Sequence, residues 1–294
     1  MEPLKTVIFV DGNNFKNNLR AFNFYSADRT SAYHQRRFFL DEKHFDWRKF
    51  FVDGLLAKYR QTTGYDFRLI RVYWYNAASI RPYEPNEALI NKAFDRCHAS
   101  LPWITKELVL RLAKEWHTNE KGYFEIARER VYRNIQSEFS FIQFNYVGEY
   151  VVKPFEVYKI DVDFDGAFIY QGTKEGEKGV DVGITVDMIA KMPNYDVAIL
   201  VSGDADFIPV VCHLKDNLKY VYQFSIAQGI PPNVTYLSPF LKGLVDIYQH
   251  CDELELLGTY LNRYSVPSDI LNSIDKRIAY LRSLTTPTMP TQTP

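Results

Sequence analysis

Apolar positions along this chain gather in short unbroken runs, each closed by small or acidic residues. "TVIFVDGNNF" (6–15) is such a run ended by Asp-Gly, and it predicts a strand buried on both faces that leaves through a tight turn. "FRLIRVYWYNA" (67–77), "YDVAILVSGD" (195–204) and "KYVYQFSI" (219–226) predict three more strands. Between the last two, Phe207, Val211, Leu214 and Leu218 recur at helical spacing, with Asp204 or Asp206 as N-cap and Pro209 in the first turn. Strand, helix, strand in that order is a βαβ unit, which implies a parallel sheet.

Upstream, "VDVGITVDMIAKM" (180–192) predicts a helix capped by Asp181 and stopped by Pro193-Asn194. Residues 84–140 are mostly of helical pattern and stand between the second strand and the later motifs, so they are expected to be an insertion. Residues 139–172 have strand character and predict an antiparallel ribbon at the sheet edge or over it. "SDILNSIDKRIAYLRSL" (268–284) predicts an amphipathic helix, and the closing Thr/Pro segment a disordered tail.

Composition narrows this picture. The 294 residues are 46% apolar, which is ample for a sizeable core and excludes disorder of the whole chain. Net charge is −1, from 35 basic against 36 acidic residues, so no global basic field holds nucleic acid. The charge is uneven: residues 1–60 carry 11 basic and 7 acidic side chains, residues 141–250 carry 8 and 14. That suits a divalent cation beside a phosphate, although patchiness on a solvated surface gives the same counts. Cys97, Cys212 and Cys251 form no even disulfide framework and no C-x-x-C pair, and each reads as a packing residue beside a histidine. The N-terminal run is too short for a signal peptide, and no run nears the roughly 18 apolar residues of a membrane span, so a cytoplasmic protein is expected.

Candidate chemistry gathers where strands end. In a parallel α/β sheet, ligands bind outside the carboxyl ends of the strands. Asp11 ends the first strand and Asp204 the third, Asp206 follows two residues on, and the Asp181 helix leads to the same edge. Like charges at about 4 Å repel by on the order of 4 kcal/mol at an effective dielectric of 20, so something positive is expected among them. All-oxygen ligands select Mg²⁺ or Mn²⁺, which can activate water against a phosphodiester. Asn14 and Ser202 are placed to orient a carboxylate, and Lys178 to meet a phosphate. Each has a plainer role: Asp11 before Gly12 as a turn former, Asp181 as an N-cap, and Asp187, roughly 240° around the helix from Asp181, as a solvated residue rather than a support for the ligands. Asp161, Asp163 and Asp165 in "DVDFD" fall on one strand face as a rival acidic cluster or a solvated edge.

"VDGNNF", "KGVDVGITVDM", "VSGDADFIPVV" and "LSPFLKGLVDIY" come in the order seen in NYN domains, and the chain resembles the LabA-like branch of the PIN-like nucleases over residues 5–20 and 178–250, with "RVYWY" weaker. The resemblance implies a Rossmann-type sheet with helices on both sides and an acidic Mg²⁺ site that cuts RNA. It carries Asp11, Asp181, Asp204 and Asp206 over as the acidic set, with Asn14, Lys178, Asp187 and Ser202 as accompanying polar positions.

The expectation is therefore a three-layer α/β, Rossmann-like (PIN-like) parallel sheet over residues 1–250. It has a helical insertion at about 80–172, a helical C-terminal extension at 251–284 and a tail at 285–294. The expected activity is that of a Mg²⁺- or Mn²⁺-dependent ribonuclease, with RNA as partner, no membrane, and a homo-oligomer left open. Lys16 and Arg20 on the first helix, and Arg36 and Arg37 interleaved with Tyr33, Phe38 and Phe39, are the candidates for RNA contact. A haloacid-dehalogenase-like phosphohydrolase also starts from an Asp at the first strand end, but it needs a second Asp two residues on, where this chain has Asn13. A non-catalytic RNA-binding or assembly module on the same fold is the third class.

Overall fold

The computed structural model describes residues 2–25, 37–163, 165–235 and 237–285. In chain order these form β1 (Leu4–Asp11), α1 (Gly12–Arg20), β2 (Asn23–Tyr25), β3 (Arg37–Phe39), α2 (Leu56–Thr63), β4 (Phe67–Asn76) and β5 (Ser79–Ile80). Then come α3 (Glu87–Ser100), α4 (Lys106–Ile126), α5 (Arg133–Glu138), β6 (Ile142–Tyr146), β7 (Glu149–Val162), β8 (Phe168–Lys178) and α6 (Val180–Ala190). The chain continues with β9 (Val197–Val201), α7 (Ile208–Asp216), β10 (Tyr220–Ile226), α8 (Pro239–Leu244), β11 (Ile247–Cys251), α9 (Glu253–Glu255) and α10 (Ser268–Thr285). Tyr33, Arg36 and residues 286–294 lie outside the described residues.

The chain divides into two compact units: Met1–Trp74, Ile135–Gln143 and Ile184–Pro294 in the first, Tyr75–Asn134 and Phe144–Gly183 in the second. The central sheet has six strands in the order β11-β10-β9-β1-β4-β6 and is mostly parallel, with helices flanking it, as a three-layer α/β fold requires. The apolar runs explain it: the last six residues of β1 and all five of β9 are buried, so both strands need cover on two faces.

Beneath α1 the first unit packs an aromatic core. Trp74 meets Phe15 at 5.1 Å and Trp47 at 5.0 Å between ring centres, both edge-on, and Phe50 meets Tyr260 at 5.4 Å and Phe224 at 5.7 Å. Edge-to-face pairs of this kind add about 0.5–1.5 kcal/mol each beyond area burial, so the helix that carries the N-terminal polar residues is firmly seated.

The second unit sets α3 and α4 on a separate sheet of order β5-β7-β8. Ala93, Cys97, Val109, Leu112 and Trp116 from the helices bury against Val152, Phe155 and Tyr170. Burial pushes the Cys97 thiol up to about 11, which makes it an inert packing group.

Five local expectations are corrected. Helix α6 starts at Val180, so Asp181 lies inside its first turn instead of capping it. Helix α7 ends at Asp216: Leu218 is 91% exposed and takes a left-handed φ of 60° because the chain turns there, Lys219 N donating back to Leu214 O at 3.0 Å. Cys212 is exposed on that helix instead of being buried in the core. In "DVDFD" the strand stops at Val162, and Asp163 instead closes a turn by accepting from Asp165 N at 3.0 Å and Ala167 N at 2.8 Å. The ribbon expected over 139–172 divides: β7 and β8 pair antiparallel, with β8 running on to Lys178, whereas β6 joins the edge of the central sheet.

Candidate active site

β1 and β9 are parallel neighbours with Val10 opposite Val201, so the residues that follow, Asp11 and Ser202, emerge side by side at the carboxyl edge. Ser202 Oγ donates to Asp11 Oδ2 at 2.9 Å and accepts from Asp204 N at 3.2 Å. The other Asp11 oxygen accepts from Asn14 N at 3.0 Å, which makes Asp11 the N-cap of α1. The turn-forming role expected of Asp11 is thus present. Asp11 is only 5% exposed, Asp204 is half-buried and Asp206 is exposed.

Asn14 joins the two strand ends from the helix. Its Oδ1 accepts from Gly203 N at 3.4 Å and from Asn18 Nδ2 at 3.1 Å, which turns its amide N–H₂ away from both. Asp204 Oδ1 accepts from Asp206 N at 3.0 Å, so Asp204 caps the 3-10 turn Ala205–Phe207 that precedes α7. Gly203 O accepts from Ser238 N at 2.8 Å, and Ser238 in turn caps α8. Behind the edge, Gln223 of β10 is fully buried and its Nε2 donates to Ser202 O at 2.9 Å.

Asp11, Asn14, Ser202, Asp204 and Asp206 are therefore brought together in the first unit. Asp187, also in that unit, pairs with Lys191 at 2.6 Å. Lys16 and Arg20 lie on α1, the first half-buried and the second exposed, and Arg37 on β3 stands 4.8 Å from the Phe39 ring centre. Lys178 and Asp181 belong to the second unit, Lys178 at the end of β8 with Glu175 at 3.5 Å and Asp181 in the first turn of α6. Near them in sequence and in the same unit, Glu177 Oε1 accepts from Ala77 N at 2.9 Å.

Two polar residues of these surroundings, and one of the second unit, escape sequence reasoning. Gln223 is one polar residue inside the apolar run "YVYQFSI", and that interruption is its signal. Asn18 sits one turn beyond Asn14. Asn76, at the end of β4 in the second unit, is buried with an amide nitrogen that has no hydrogen-bond partner among the described residues.

Among the described residues no group of three or more His, Cys, Asp or Glu side chains is disposed to hold a metal ion. Mg²⁺ needs no such group, since it is commonly bound through one or two carboxylates with water and phosphate oxygens completing the shell. The donors gathered at the β1–β9 edge are carboxylate and hydroxyl oxygens, without thiolate or imidazole, and this set fits a hard cation in kind.

Fold and edge together define an α/β chain whose acidic residues cluster at the carboxyl end of a parallel sheet. The family model for the NYN domain matches residues 96–236. This is the family the motifs resemble, and the matched span is consistent with an NYN domain. The matched span contains Lys178, Asp181, Asp187, Ser202, Asp204 and Asp206, and Asp11 and Asn14 precede it. A crystal structure of a protein of unknown function from Vibrio parahaemolyticus is similar over 85% of this chain and 94% of that one, at 19% identity and a TM-score of 0.40. No curated protein matches. No helix among the described residues is long and apolar enough to cross a membrane.

Proposed function

We propose that the β1–β9 edge is the catalytic centre of a divalent-metal-dependent ribonuclease of the LabA-like kind. The observation that carries this is the Ser202 hydroxyl, which joins the carboxylate of Asp11 to the backbone of Asp204 and so fixes two acidic strand ends against each other. Asp11, Asp204 and Asp206 would hold Mg²⁺ or Mn²⁺, with Asp181 added by the family resemblance. Such an ion, when bound, supplies Lewis-acid charge stabilisation and lowers the pKa of water.

The chain's own residues do the rest. Asp11 accepts from a donor on each of its oxygens, so its carboxylate keeps one orientation. Asn14, with its oxygen facing Gly203 and Asn18, presents its amide N–H₂ as a donor for a phosphate oxygen. The family resemblance adds Lys178 to offset phosphate charge, and Asp187 acts by holding Lys191.

The test is cleavage of a mixture of single-stranded and structured RNA with Mn²⁺, wild type against Asp204→Asn. Asp204 is half-buried and its substitution leaves the core intact. Cleavage is expected to fall by at least a hundredfold and to vanish in chelator. Equal cleavage by wild type and Asp204→Asn would overturn the assignment.

A further inference from the structure

In the first unit, the end of β2, the loop that follows β10 and one face of α10 enclose an open cleft of about 810 Å³. Its scaffold is fixed. Glu253 of α9 is buried, takes both Nε and Nη2 of Arg277 at 2.6 and 2.8 Å, and accepts from Gly229 N at 2.8 Å. Ser273 Oγ donates to Tyr25 O at 3.1 Å, tying α10 to β2, and the loop closes on itself through the Gln228–Asn233 backbone pair at 2.7 and 2.8 Å.

What faces the opening is a different set of groups. Tyr25 and Tyr280 line opposite elements and are 47% and 53% exposed. Lys276 has no carboxylate partner among the described residues, whereas the acid of the cleft, Glu253, is already neutralised by Arg277. The side-chain amides of Gln228 and Asn233 make no hydrogen bond among the described residues. Next to Tyr25, its register partner Arg37 and the 42% exposed Phe39 continue the mixture of cation and ring on β3. Tyr280 already carries the Arg277 guanidinium 5.6 Å from its ring centre; exposed rings stack bases, an ammonium without a carboxylate partner meets a phosphate, and amides bond to base edges. A volume of this size accepts a nucleotide or two.

We infer that this cleft binds single-stranded RNA, bases on Tyr25 and Tyr280 and phosphate on Lys276, as a subsite for the substrate; the inference rests on the ribonuclease reading above. Paired bases keep their faces inside the helix and cannot use the two rings, so duplex RNA is excluded.

The experiment is fluorescence anisotropy of a labelled single-stranded RNA in excess chelator, where nothing is cleaved, with thermal melts as the check that each variant folds. Tyr280→Ala should raise Kd about tenfold and Tyr280→Phe leave it close to wild type, since stacking is retained. Lys276→Ala should weaken binding and flatten the salt dependence of log K by about 0.7, the share of one phosphate contact on a single strand. Duplex RNA should compete poorly. Wild-type affinity in the Tyr280→Ala, Lys276→Ala double variant would overturn the inference, as would absence of RNA binding by the wild type, or duplex competing as well as single strand. Cleavage with Mn²⁺ is read separately: unchanged cleavage in the cleft variants with unchanged affinity sinks the cleft alone, and lost affinity with no Asp204-dependent cleavage sinks the nuclease reading alone.

Discussion

Ser202 gives its hydroxyl proton to a nearly buried carboxylate and receives one from the Asp204 amide, so a single oxygen atom serves two partners. A hydrogen bond to a charged group contributes about 1.5–3 kcal/mol, and a buried acceptor stripped of its donor costs a similar amount. Ser202→Ala is therefore expected to lower stability by about 1.5–3 kcal/mol, read as a fall in the urea midpoint with unchanged slope. A midpoint equal to wild type would mean that the hydroxyl does not hold Asp11. This residue, like Asp11 and Asp204, was legible in the sequence because each follows an apolar run, and run ends predict strand ends. Gln223 was not: it supports the same turn from the neighbouring strand, and no linear pattern says which strands will be neighbours. The Asp181 cap was read two residues off, since the helix starts at Val180 and its cap position is Gly179.

At the scale of elements, the segment Lys49–Leu55 is wound as a π-turn before α2, and Gly54 faces Tyr260 within it. A Cβ there would stand 2.2 Å from the phenol oxygen and 2.7 Å from Cζ. Tyr260 cannot easily step aside, since its hydroxyl donates to Glu255 Oε1 at 2.6 Å and its ring packs edge-on against Phe50. Overpacking of this kind costs about 1–3 kcal/mol. Gly54→Ala should lower the thermal midpoint by several degrees, at about 2–4 °C per kcal/mol for a chain approaching this size. An unchanged Tm would show that the ring has room. None of this wide turn was visible as sequence pattern, because a π-turn displaces the 3.6-residue period by one position. The β9–α7–β10 unit was legible for the converse reason: a fully buried strand, an acidic cap and a second buried strand all agree locally. β6 was assigned to the ribbon because a five-residue strand carries too few alternations to show which sheet it will join.

For the whole molecule the deciding quantity is charge. With 35 basic and 36 acidic side chains, the chain has no long-range field with which to gather a polyanion, so on the proposed ribonuclease reading RNA would be held by local contacts. Among the described residues, the cations without a carboxylate partner in the cleft, on β3 and on α1 are Lys276, Arg37, Lys16 and Arg20. Each phosphate neutralised on a single strand contributes about −0.7 to the slope of log K against log salt. Three or four such contacts predict a slope of about −2 to −3, measured by anisotropy titrations from low to physiological salt in chelator. A slope near −7 would require about ten phosphate contacts and a continuous basic track, and it would move the RNA path away from the acidic edge. A shallow slope joined to a strong loss on removing Tyr280 would place the affinity in stacking. A protein of balanced charge can then bring RNA to a carboxylate-lined centre without the acidic residues repelling it from a distance, because beyond roughly 8 Å at physiological salt the carboxylates are screened and the approach is governed by the rings.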